Sequence, residues 1–112
     1  MKTSITALVR KALEDNGQIT LNELRALFYQ INTDAQLLRA GRYKSTLAAK
    51  KYNESKPLSE NDISSLRRSG VNHLVCAYIY QKTKVDKKPW LEIDGNVVRL
   101  KANTAEERNL GP

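Results

Sequence analysis

The chain has 112 residues, 40% of them hydrophobic, and a formal net charge of +7 at pH 7. That size and composition describe one folded domain with a modest core, too short for two cores and too apolar for a disordered chain. Cys76 is the only cysteine, which excludes an internal disulfide and fits a reducing compartment. The N-terminus lacks a signal-peptide run, and no apolar stretch approaches the roughly 18 residues of a membrane span, so a cytoplasmic protein without membrane attachment is expected.

Ile5, Leu8, Val9, Ala12 and Leu13 recur at helical spacing, and Asn16-Gly17 closes the run. Thr20-Leu21-Asn22-Glu23 reads as a capping box opening a second helix, whose apolar face continues through Leu24, Leu27, Phe28 and Ile31. Thr33-Asp34-Ala35-Gln36 is a second box, leading to Ala40-Gly41. Ser59-Glu60-Asn61-Asp62 is a third, with aspartate as a short reciprocal acceptor. Pro57 disfavours helix at Lys56, so one helix ends and another begins around residues 53–57.

The run from Leu74 to Tyr80 is continuous and apolar, so periodicity alone admits a buried helix or a core strand. Gly70-Val71-Asn72 reads as a turn running into an N-cap, which favours helix. As a strand, the run would join a three-stranded meander with the hairpin that follows.

Asp94-Gly95 predicts a two-residue type I′ turn. The resulting hairpin places Leu91, Ile93, Val98 and Leu100 on one face. Trp90, Glu92, Val97, Arg99 and Lys101 fall on the other. Trp90 is expected to bury against a helix rather than serve as a stacking platform. Residues 103–112 have little to bury and read as a frayed tail.

Charge is concentrated in one quarter of the chain. Residues 31–57 hold six basic and two acidic groups, a net +4 of the total +7. A local excess inside a folded region favours a basic surface over a diffuse polybasic arm. Arg39, Arg42 and Lys50 fall near one helical stripe, and Lys44 and Lys51 near another.

Two stretches have the order helix, glycine turn, helix. The earlier runs through residues 34–40, a turn at Gly41-Arg42-Tyr43, and a helix over 44–52. The later runs through residues 59–68, a turn at Ser69-Gly70-Val71, and a helix over 72–84. Gly41, followed by Ser45-Thr46-Leu47, resembles the turn and recognition-helix start of bacterial and phage helix-turn-helix regulators. Gly70-Val71-Asn72 resembles the same turn in other members, and the hairpin after it resembles the wing of a winged helix. Arg42 departs from the pattern, taking a place where a small apolar residue normally packs. A continuous helix over residues 33–52 is the competing reading there.

The resemblance implies sequence-specific duplex-DNA binding by a small regulator of transcription or replication, acting as a homodimer on paired half-sites. Lys44, Ser45 and Thr46 would meet bases or phosphates in the earlier unit. Asn72 and His73 would lead the reading helix of the later one. Arg39, Arg42, Lys50 and Lys51 would add phosphate contacts, and Lys87, Lys88 and Arg99 would hold the backbone beside the wing. Tyr43 and Tyr52, in the basic segment, could stack on bases, so RNA is admitted without being singled out.

Catalysis finds no support, because His73 has no carboxylate or nucleophile at a recognisable spacing. His73 and Cys76, three residues apart, are too few for a metal site, and no cofactor motif is present. The competing class is a small basic adaptor or inhibitor that binds a protein and makes no DNA contact. The fold expected for residues 1–102 is mainly α within the α+β class, a helix-turn-helix-type domain with a C-terminal hairpin over 89–101, winged-helix-like.

Overall fold

The computed structural model describes residues 4–101; the tail expected to fray, 103–112, lies outside them. The described elements, in order, are α1 (Ile5–Asn16), β1 (Gln18–Thr20), α2 (Leu21–Ile31), α3 (Asp34–Gly41), α4 (Leu47–Asn53) and α5 (Glu60–Tyr80), then a π-helical turn (Gln81–Val85), β2 (Leu91–Asp94) and β3 (Val97–Leu100). The domain is mainly helical with a small antiparallel sheet, an α+β architecture consistent with a winged-helix-like fold. No described helix is long and apolar enough to cross a membrane.

The helix starts follow the sequence closely. Ser4 caps α1 by accepting from the Ala7 amide, and Gly17, at φ 80°, ends the helix in a conformation that favours glycine. All three capping boxes form with both reciprocal bonds: Thr20 with Glu23, Thr33 with Gln36, and Ser59 with Asp62. Each satisfies two amides that a helix start otherwise leaves unpaired.

The long apolar run is helical, as favoured, but the turn expected before it is absent. α5 passes without interruption through Ser69, Gly70 and Val71, so the later helix-turn-helix does not exist. Gly70 serves a close helix crossing instead. A Cβ built there would overlap the Leu37 carbonyl of α3, and one on Gly41 would overlap the Leu66 carbonyl of α5. The absence of both side chains lets α3 and α5 pack backbone to backbone.

Gly41 ends α3, so the continuous helix over 33–52 is also excluded. The second helix of the earlier unit starts later than expected. Thr46 is its N-cap, accepting from the Ala49 amide at 3.1 Å, and Lys44 and Ser45 belong to the turn.

β1 was not anticipated. Its three residues pair with β3, placing Ile19 opposite Val98, and the strand order is β1-β3-β2. The hairpin keeps its predicted faces but not its predicted turn. Asp94 pairs with Val97, so the two loop residues are Gly95 and Asn96. Among them only Gly95 has positive φ, at 60°, which is the pattern of a type II′ turn with glycine first. The register slips by two residues in total, and an even slip leaves every side chain on its original face. Leu91 and Val98 are accordingly buried, while Ile93 remains 43% exposed.

The main core joins Val9, Leu13, Ile19, Leu24, Phe28, Leu37, Val71 and Val75 with Trp90, Leu91 and Val98. Trp90 is buried as expected, with the Arg10 guanidinium of α1 4.2 Å from its ring centroid. Tyr78 packs edge-on to Phe28, and its hydroxyl pairs with Thr6 at 3.0 Å. Burial pushes its phenol pKa above the usual value. A second, smaller core sets Ala48 and Ala49 of α4 against Leu66 of α5.

These two cores divide the work of α5, which is about 30 Å long at 1.5 Å per residue. Its N-terminal half carries α4, and its C-terminal end runs through the π-helical turn into the hairpin. The Trp90 amide donates to the Lys82 carbonyl at that junction.

Candidate nucleic-acid interface

The connection between α3 and α4 gathers the basic residues of the second quarter. Residues 42–46 form a compact turn, tied to the end of α4 where the Asn53 side-chain Nδ2 donates to the Arg42 carbonyl at 3.1 Å. Arg39 and Lys50 flank it, one on each helix. Among the described residues no carboxylate lies within ion-pair distance of Arg39, Arg42, Lys44 or Lys50. A cation without a carboxylate partner is available to a phosphate.

Two shallow hollows open on this edge. Lys44, Ser45, Thr46 and Lys50 line one of about 700 Å³, with Glu54, which is ion-paired to Lys56, at its margin. Asn32, Gln36, Arg39, Tyr43 and His73 line another of about 330 Å³. In the smaller hollow stands Tyr43, 62% exposed. Its hydroxyl accepts from Arg42 at 2.7 Å, the Arg42 guanidinium sits 4.8 Å from its ring centroid, and the His73 imidazole lies 5.3 Å away at 30°. Guanidinium, phenol and imidazole thus form one planar-faced cluster of the kind that meets phosphates and base edges.

The remaining candidates are placed elsewhere or already engaged. The Lys51 ammonium is bound to Asp62 at 3.0 Å. That carboxylate also accepts from the Ser59 amide, and the backbone bond, followed by Lys51, holds its pKa below the ordinary 3.8. Arg99 donates to Glu92 at 2.7 Å and to Asp94 at 3.2 Å. The Glu92 bond, with Glu92's charge next and Asp94 adding to it, raises its pKa further above the usual value. With two carboxylates beside one guanidinium, the hairpin presents no excess positive charge. Lys87 and Lys88 are exposed in the loop that precedes it.

Asn72 does not lead a helix. It lies in the middle of α5, and its side-chain oxygen accepts from Arg25 Nε of α2 at 2.9 Å. His73, one residue on, turns to the opposite hollow beside Tyr43. Cys76 lines a different cavity from His73. Asn32 and Gln36 were missed by sequence reasoning. Nothing in their local pattern marks them, since Gln36 appears there only as a capping residue.

Compared with family models, curated proteins and solved structures, the chain matches none.

Proposed function

We propose that the protein binds duplex DNA through the α3–turn–α4 edge, as a small regulator of transcription or replication in the cytoplasm. The observation that carries this reading is the group Arg39, Arg42, Lys44 and Lys50, together on one folded edge and without carboxylate partners among the described residues. Ser45 and the Tyr43–His73 pair supply neutral donors and flat faces beside them. Phosphate contacts of this kind position a protein on the duplex, and base contacts by neighbouring polar groups then specify sequence. Homodimerisation belongs to the same proposal, because one short edge contacts too few base pairs for high specificity.

A protein-binding adaptor is the second reading, and Leu47 favours it. This residue, at the start of α4, is 67% exposed between Lys44 and Lys50. An apolar side chain inside a basic patch suits an acidic partner peptide as well as a groove. A titration with mixed-sequence duplex at low salt separates the two. DNA binding predicts saturable association, whereas no association would remove the DNA reading and leave the adaptor.

A further inference from the structure

A second concave site lies away from the basic edge, where α2, α5 and the hairpin meet. It encloses about 310 Å³, at the lower end of the size range of small-molecule pockets. Leu21 of α2, Val75 and Ile79 of α5 and Ile93 of β2 supply its apolar walls. Asn72, Val75 and Ile79 follow at steps of three and four along α5, so one stripe of that helix forms the floor. The same arrangement accounts for Ile93, which belongs to the apolar face of the hairpin yet stays partly exposed. It extends past the helical cover and closes the groove from the sheet side.

Two cations line the groove, Lys84 and Arg25, and hydrogen bonds hold Arg25 in place. Its Nε donates to Asn72 at 2.9 Å and its Nη1 to Asn22 at 2.7 Å. Both partners are neutral amides, and among the described residues no carboxylate lies within ion-pair distance of it. No acid stands three or four residues from Arg25 on its own helix either. Two amides therefore fix the orientation of the guanidinium without neutralising it, and none of its other N–H groups meets an acceptor among the described residues. An apolar trough bordered by a pre-oriented cation is complementary to one kind of small molecule.

We infer that this groove binds a small amphipathic carboxylate, with its acid group on Arg25 and its apolar body along Val75, Ile79 and Ile93. The carboxylate accepts from the guanidinium in the two-pronged geometry that arginine favours. The apolar body covers side chains from α5 and β2 at once, so occupancy joins the hairpin to the long helix. The inference is independent of DNA binding.

Two probes cover the two forms such a ligand takes: decanoate for an aliphatic chain and naphthalene-2-carboxylate for an aromatic one. Decanol and naphthalene-2-methanol are their neutral counterparts. Calorimetric titration of the intact protein with all four reads the charge requirement without mutation. At least one acid should bind roughly tenfold or more tightly than its alcohol, the scale of a hydrogen bond to a charged group. Which acid does so identifies the shape of the body.

Cys76 also lines the groove and is the only cysteine, so its alkylation by iodoacetamide reports occupancy. The binding acid should slow that reaction in the native protein. Arg25→Gln should abolish the protection at the same probe concentration while leaving the unliganded alkylation rate and the far-ultraviolet dichroism unchanged. Arg25→Lys should restore part of it. Equal binding of acids and alcohols, no binding of either acid, or full protection in folded Arg25→Gln would each overturn the inference.

Discussion

Gly41 and Gly70 face each other where α3 crosses α5, and each leaves free the space that the other helix's backbone needs. A Cβ on Gly70 would stand 3.2 Å from the Gly41 amide nitrogen as well as overlapping the Leu37 carbonyl. The obstacle is backbone, which cannot rotate away as a flexible side chain could. Gly70→Ala should therefore destabilise the fold by about 1–3 kcal/mol, the usual cost of overpacking. An overlap with rigid backbone belongs at the upper end of that range, so the gain in helix propensity, about 1 kcal/mol, offsets only part of it. Thermal denaturation followed by circular dichroism gives the comparison. An unchanged or raised midpoint would show that the crossing does not depend on close approach.

The same pair shows what sequence reasoning could and could not read. Helix beginnings marked by a capping box were legible, because Thr20, Thr33 and Ser59 each act through residues three positions away. The faces of the hairpin were legible too, since strand alternation survives an even change of register. The glycines were harder. Gly17 and Gly95 take positive φ as local punctuation, but Gly70 is inside a helix and its reason lies 29 residues upstream at Gly41. No local pattern distinguishes a glycine that ends a helix from one that admits another helix. β1 was hidden for a related reason, because a three-residue strand gains its identity from pairing with β3. In the candidate interface, the charge excess over residues 31–57 falls on the α3–turn–α4 edge, on which the DNA-binding proposal rests. What sequence could not reveal was pairing: Lys51 and Arg99 look equivalent to Lys44 and Arg42 until Asp62, Glu92 and Asp94 are placed beside them.

Asp62 links the start of α5 to α4, through the Ser59 amide and the Lys51 ammonium. Asp62→Asn should lower the thermal midpoint, and the difference from the native protein should depend on pH with a definite sign. The folded-state pKa is depressed, so this contribution is present above the unfolded value near 3.8. It is lost as pH falls through the lower folded value. Denaturation measured at neutral pH and again in acid should show the two proteins converging below about pH 4. A constant difference across that range would mean the carboxylate charge plays no part.

Asn72 and Arg99 are engaged within the fold, Asn72 with Arg25 and Arg99 with Glu92 and Asp94. Arg99→Gln and Asn72→Ala should therefore leave duplex affinity and its salt dependence close to those of the native protein. Asn72→Ala should cost about 1 kcal/mol of stability through the lost hydrogen bond. Fluorescence anisotropy with labelled duplex, alongside urea denaturation, tests both statements. A change in sequence preference on substituting Asn72 would return the reading role to α5.

The central claim is that the α3–turn–α4 edge neutralises phosphates. Its most direct test is the slope of log affinity against log salt for the native protein and for the double variant Arg42→Ala/Lys44→Ala, measured on mixed-sequence duplex. On B-DNA each phosphate contact contributes about −0.9 to that slope between roughly 50 and 200 mM salt. The variant should bind every sequence more weakly, with a slope shallower by up to about 1.8 if each cation meets one phosphate. An unchanged affinity and slope in a folded variant would contradict it.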